Sequence, residues 1–127
     1  MMTETKTLRI LLADDAPSVR QALRWLLEEI PSFAVVGEAA DGETAVDLSR
    51  ELTPDLVILD LELPCEHGFR VTQHLKAQVP GIRVVILSGH GDVATRRLAI
   101  EMGADGFVEK SDGWAALLAQ IHQVIAS

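Results

Sequence analysis

Asp55-Leu56-Val57-Ile58-Leu59-Asp60 is the stretch that decides the fold. Four consecutive apolar residues, Leu56 to Leu59, run into a carboxylate. A short, unbroken apolar run is a strand covered on both faces, the mark of a parallel sheet in an α/β protein. In open α/β sheets the ligand site lies just beyond the carboxyl ends of the strands. Asp60 therefore stands where such proteins do their chemistry. Pro64 follows shortly and cannot continue a central strand.

The same pattern repeats outward from this stretch. Leu8 to Ala13, apolar but for Arg9, is a first strand ending at Asp14-Asp15. Pro17 suits a helix start, where its missing N–H costs nothing. Ala22, Leu23, Trp25, Leu26, Leu27 and Ile30 then form a helical stripe that Pro31 stops. Phe33 to Val36 is a second strand closed by Gly37. Asp41-Gly42 caps a helix running to about Leu52, and Pro54 breaks it before the central strand. Gly68 opens a helix with Phe69, Val71, Leu75 and Val79 inward, ended by Pro80-Gly81. Ile82 to Leu87 is a fourth strand ending at Ser88-Gly89. Asp92 caps a helix carrying Val93, Leu98, Ile100 and Met102, which Gly103 terminates. Phe107-Val108 is a fifth strand running into Lys110. Ser111 or Asp112 caps a last helix with Trp114, Leu117, Leu118, Ile121, Val124 and Ile125.

Strands alternating with helices imply parallel pairing through right-handed crossovers. Helices must cover both faces, so the chain winds both ways from a switch point. The economical result is a doubly wound, flavodoxin-like (βα)5 fold, order 2-1-3-4-5, with the switch point between the first and third strands. The expected layout is a tail over 1–7 and one domain over 8–127.

Composition bounds the function classes. The 127 residues, 48% hydrophobic and 24% charged, suit one soluble domain with a real core. A net charge of −8 argues against direct nucleic-acid binding and suits a bound cation or a basic partner. Cys65, the single cysteine, excludes an internal disulfide, and no Cys/His spacing resembles a zinc site. No apolar run is long enough to span a membrane, and the segment to Thr7 lacks a signal-peptide core, so cytoplasmic location is the default.

The topology brings Asp14, Asp15, Asp60, Ser88 and Lys110 to one sheet edge. Three carboxylates there repel; at ~5 Å and an effective dielectric near 20, each pair costs about 3 kcal/mol. Either one acid has a raised pKa or a divalent cation binds. All-oxygen ligation in an open site beside phosphate favours Mg²⁺. With repulsion cancelled, Asp60 can act as a nucleophile toward a phosphoryl group and form an acyl phosphate. Lys110 and the Ser88 hydroxyl are placed to grip the phosphoryl oxygens.

At these residues the chain resembles the receiver domain of two-component response regulators, over about Leu8 to the C-terminus. The matching pieces are Asp14-Asp15, Asp60 with Leu61-Glu62-Leu63-Pro64 and Gly68, Ser88-Gly89, and Phe107 three residues before Lys110. The resemblance implies Asp60 as phosphoacceptor and Asp14, Asp15, Asp60 and the Glu62 backbone carbonyl as Mg²⁺ ligands. It further implies Ser88 as switch hydroxyl, Lys110 as phosphate partner and Phe107 as a rotating switch aromatic. The implied partner is a sensor histidine kinase or phosphotransfer protein. The implied output face, with Arg96, Arg97 and Glu109, suits a charged partner or a homodimer. The segment Ser88 to Lys110 is similar to receivers that precede a LuxR-type helix-turn-helix, which implies transcription regulation. The chain is then either a single-domain regulator or part of a longer one.

Two departures stand out. His67 stands where Asp or Asn is usual and would loosen the loop after Asp60. Ser111 follows the lysine where many receivers carry a cis proline, leaving that isomer open. Among rivals, a degenerate receiver acting only by contact conflicts with the intact acids, Ser88 and Lys110. A phosphohydrolase with an aspartyl nucleophile would want a second acid followed by Thr or Val; Glu62 is an acid, but Leu63-Pro64 follows. A flavin-binding protein would want a phosphate loop where Asp14-Asp15 stands. Cys65 is expected to be a plain loop thiol, His67, His74, His90 and His122 form no cluster, and Trp25 and Trp114 are expected in core or interface.

Overall fold

A computed structural model describes residues 6–126; residues 1–5 of the expected tail, and Ser127, lie outside the described residues. The strands are β1 (Leu8–Ala13), β2 (Phe33–Ala39), β3 (Leu56–Asp60), β4 (Arg83–Ser88) and β5 (Gly106–Glu109). The helices are α1 (Pro17–Glu28), α2 (Gly42–Leu52), α3 (Gly68–Gln78), α4 (Val93–Glu101) and α5 (Trp114–Ile125). All pairings are parallel and the order is β2-β1-β3-β4-β5. This is the doubly wound, flavodoxin-like arrangement expected from the alternation.

Two apolar layers hold the sheet. On one face Leu11, Val57, Leu59, Val84 and Ile86 pack with Ala45 and Val46 of α2, Val71 and Leu75 of α3, and Ala99 of α4. On the other, Ile10, Leu12, Ile58 and Val85 pack with Leu27 of α1 and Leu117, Ile121 and Val124 of α5. Burial on both sides explains why the central strands carry no alternation of apolar and polar residues.

Register then sets the site. Ala13 pairs with Leu59, so Asp14 follows level with Asp60. Asp60 pairs with Leu87 and Ser88 pairs with Glu109, so Ser88 and Lys110 emerge at the same carboxyl edge.

Four expectations need correction. Gly37 does not close β2. The register skips a residue between the Ile10–Val35 and Leu11–Gly37 pairs, which makes Val36 a bulge. A Cβ on Gly37 would lie 3.0 Å from both Leu11 Cδ1 and Leu52 Cδ1, so the glycine permits close packing instead of ending the strand. Neither Ser111 nor Asp112 caps α5: residues Lys110–Asp112 form a 3-10 turn, Gly113 precedes the helix, and Asp112 Oδ2 accepts the Glu109 N–H at 3.2 Å. The stripe of α1 is not all core, since Trp25 is 70% exposed while Trp114 is half-buried against the core. Finally, His67 does not loosen its loop. Its Nδ1 accepts the Phe69 N–H at 3.2 Å as the cap of α3, and the Gly68 N–H donates to the Leu61 carbonyl at 2.8 Å. A Cβ on Gly68 would stand 2.7 Å from Leu61 Cα, so only glycine lets the loop close behind Asp60. The Lys110–Ser111 peptide, whose isomer the sequence leaves open, is trans.

Candidate functional site

Three strand ends and two short loops build an acidic crevice. Carboxylate oxygens of Asp14, Asp15 and Asp60 lie within 4.8 Å of one another. Asp14 and Asp60 are buried and Asp15 is exposed. Each buried acid spends one oxygen on a local backbone N–H. Asp14 Oδ1 accepts from Ala16 at 2.9 Å, and Asp60 Oδ1 accepts from Glu62 at 3.0 Å. Their other oxygens face Lys110, whose Nζ lies 3.4 Å from both Asp14 Oδ2 and Asp60 Oδ2.

That lysine holds the crevice together electrostatically without saturating it. Burial raises the pKa of Asp60 against the opposing Glu62 N–H bond; the Asp14 charge raises it further and Lys110 pulls it down. Burial alone would lower the pKa of Lys110, but the Asp14 and Asp60 charges outweigh it and raise the value. One ammonium thus serves two buried carboxylates. Asp14 Oδ2 remains buried without a hydrogen bond. A buried carboxylate oxygen left without a hydrogen bond beside two further acids fits a hard divalent cation. Of the two outcomes open to clustered acids, the raised pKa falls on Asp60, and the three carboxylates are grouped as a cation's ligands would be.

Ser88 and Phe107 flank the crevice. Ser88 is fully buried, and its Oγ accepts the His90 N–H at 3.0 Å, folding the loop after β4 back over the strand end. Phe107 pairs with Ile86 and is buried, with the Arg96 guanidinium 4.8 Å from its ring centroid. The ring the resemblance marks as mobile is therefore packed inside here. Glu62 is exposed, and its side chain lies 3.5 Å from His90 Nε2 across the crevice mouth. Cys65 is an exposed loop thiol with φ of 71°.

Sequence reasoning missed Arg20 and Glu38. Arg20 donates to the Asp14 carbonyl at 2.6 Å and to Glu38 Oε1 at 3.0 Å. The signal was the pair Arg20 and Arg24, one turn apart on α1, but their target was hidden once β2 was closed at Gly37.

Comparison with known proteins agrees with this geometry. The family model described as response regulator receiver domain matches residues 10–122. The nitrate/nitrite response regulator protein NarL of Escherichia coli K12 is 34% identical over 125 residues, covering 98% of this chain and 58% of that protein. The chain thus spans little more than half of that relative's length. A LuxR-family two-component response regulator from Aurantimonas superposes with TM-score 0.91 at 42% identity, covering 95% of this chain and 86% of that one. The signal receiver domain of the putative response regulator NarL from Mycobacterium tuberculosis gives 0.87 at 29% identity, covering 96% and 99%. With the acid cluster, the shared lysine and the strand order already in place, the match over residues 10–122 leads to one conclusion: the chain belongs to the response regulator receiver domain family.

Proposed function

We infer that this chain is the phosphoacceptor of a two-component phosphorelay and that Asp60 carries the phosphoryl group. One observation supports this above the rest: two buried carboxylates share a single lysine at 3.4 Å while a third acid closes the cluster. Such an arrangement binds charge that arrives from outside, as a cation and as a phosphoryl group.

In this reading an Asp60 oxygen attacks the phosphorus of a phosphohistidine on a sensor histidine kinase or phosphotransfer protein in the cytoplasm. The P–O bond to Asp60 forms as the P–N bond breaks, and the departing imidazole nitrogen keeps the bonding pair. Asp14, Asp15, Asp60 and the Glu62 carbonyl would hold Mg²⁺. When bound, that ion supplies positive charge that offsets the carboxylates against the incoming anion. Lys110 exchanges its contact with Asp60 for the phosphoryl oxygens. Water later attacks the phosphorus and regenerates the carboxylate with release of phosphate. The domain over 8–127 is then a signalling switch, and an output domain or partner outside it would regulate transcription.

Ser88 and Phe107 would carry the switch. A hydroxyl drawn toward the phosphoryl group changes the packing behind β4, where Phe107 sits under Arg96. The face of α4, β5 and α5 responds. That face exposes Val93 and Ile100 beside Arg97, a surface for a partner or a second copy. The two conformations need differ by only a few kcal/mol for phosphorylation to shift the population.

Two measurements test this function. Acetyl phosphate with Mg²⁺ should add one phosphoryl group that hydroxylamine removes, acetate leaving as the P–O bond breaks. A chain that stays unmodified over hours is not a phosphoacceptor. Beryllofluoride should shift the NMR resonances of Phe107 and α5 in wild type and much less in Ser88→Ala. Full-amplitude shifts in that variant would take the hydroxyl out of the mechanism.

A further inference from the structure

Asp14 is held at three points. Its N–H donates to the Ala39 carbonyl at 3.0 Å, its Oδ1 accepts the Ala16 N–H at 2.9 Å, and its carbonyl accepts from Arg20 at 2.6 Å. The last of these comes from a side chain, and that side chain is anchored elsewhere. Arg20 Nε donates to Glu38 Oε1 at 3.0 Å. Glu38 directly precedes Ala39, whose carbonyl holds the Asp14 N–H. The end of β1, the first turns of α1 and the end of β2 therefore form a closed ring of contacts. The bulge at Val36 sets the register of this ring, placing Glu38 opposite Leu12 and Ala39 opposite Ala13.

We propose that Arg20 is a positioning residue for the cation site: it fixes the peptide joining Asp14 to Asp15 and so aims both carboxylates. The inference rests on the proposed function and deepens it. The Asp14 carbonyl and the Asp15 N–H belong to one rigid peptide plane. A guanidinium hydrogen bond on the oxygen sets the rotation of that plane. Asp15 is exposed, so its backbone directs its carboxylate more than packing does. Asp14 is buried, and the same anchor leaves its Oδ2 facing the site without a hydrogen bond.

Charge is a minor part of this role. Glu38 faces Arg20 and offsets it. Arg24 first, then Arg20 against the opposing pull of burial, hold the Glu38 carboxyl below its usual range, so it is ionised at neutral pH. Arg24 provides an internal control. It bonds the same Glu38 at 2.7 Å and reaches Glu28 at 3.5 Å, away from the Asp14 loop. A lysine cannot substitute at position 20. The planar guanidinium bonds two acceptors at a fixed angle, whereas an ammonium is a compact point charge.

The test is a Mg²⁺ titration of the chain followed by amide NMR shifts in wild type, Arg20→Ala, Arg20→Lys and Arg24→Ala. Both Arg20 variants should bind Mg²⁺ about tenfold more weakly, the range for lost outer-shell partners. Arg24→Ala should stay within about twofold of wild type, as expected for a partly exposed ion pair. Without metal, the Asp15 amide nitrogen should shift in both Arg20 variants and hold still in Arg24→Ala. Arg20→Lys keeps the charge and carries the test if Arg20→Ala does not fold. Wild-type affinity and an unmoved Asp15 amide in the Arg20 variants would overturn the proposal. Equal weakening in Arg24→Ala would also overturn it, by making the effect one of general α1–β2 stability. If wild type itself binds no Mg²⁺, the cation site of the proposed function fails. The metal-free Asp15 shift then still decides whether Arg20 fixes that peptide.

Discussion

Asp60→Asn should take up no phosphoryl group from acetyl phosphate and, in metal-free buffer, should melt at a higher temperature than wild type. The first half follows from chemistry, because an amide oxygen is a poor nucleophile and cannot form the acyl phosphate. The second half follows from electrostatics. Burial and the neighbouring Asp14 charge raise the pKa of Asp60, although its bond from the Glu62 N–H and its contact with Lys110 oppose this. A carboxyl whose folded pKa is raised binds its proton more tightly in the native state. Its contribution to stability is fully present below the ordinary value of 3.8 and is lost as pH rises through the folded value. At neutral pH the ionised group is therefore a net cost, and an uncharged isostere removes it. Relief of strain at a functional site is worth about 1 kcal/mol, or about 4 °C for a domain of this size. Asn keeps an oxygen for the Glu62 N–H, so that bond survives.

Mg²⁺ should reverse the ranking. At ten times its Kd a ligand specific for the folded state adds about 1.4 kcal/mol. Wild type gains this stabilisation and Asp60→Asn, short of one ligand charge, gains little. Thermal melts of both proteins with and without Mg²⁺ separate the two effects. A variant less stable than wild type without metal, or one that gains equally from Mg²⁺, would show that Asp60 repulsion does not govern this site.

The sequence carried the sheet order and the acid cluster because both follow from coarse signals. Apolar runs such as Leu56 to Leu59 announce buried strands, and parallel topology then collects their polar ends at one edge. Local packing left weaker signals. Gly37 looked like a strand end because glycine usually interrupts pairing, yet here it sits at a bulge against Leu11 and Leu52. That single misreading hid Glu38 and Ala39, and with them the anchor of Asp14. His67 carried no sign that its ring nitrogen would cap α3 as Asp does. The exposure of Val93, Leu98 and Ile100 was equally unreadable, since α4 buries only Ala99 fully and apolar residues on a surface look the same in sequence as those in a core.

Lys110→Ala should slow phosphoryl uptake by about 10²–10³-fold, the cost of removing one preorganised donor from a charge-developing site. The same variant should bind Mg²⁺ more tightly. In wild type the ammonium sits 3.4 Å from Asp14 and from Asp60, so it competes with a cation for the same oxygens and repels it. Its side chain is 36% exposed, so solvent screens part of this repulsion and a gain of about tenfold is expected. Stability should fall at neutral pH without metal. Burial would lower the pKa of Lys110, but the Asp14 and Asp60 charges raise it above 10.5. A cation with a raised folded pKa stabilises fully below its ordinary value and loses that contribution only as pH rises through the higher one. The loss on truncation therefore appears across the whole neutral range. Lys110→Arg keeps the charge but replaces a point donor with a planar fork, so it should recover stability better than rate. Uptake rates, Mg²⁺ titrations and melts on the three proteins give the pattern: slower transfer, tighter cation, looser fold. Weaker Mg²⁺ binding in Lys110→Ala would mean that the lysine organises the acids instead of competing for them. Wild-type uptake in that variant would remove Lys110 from phosphoryl recognition.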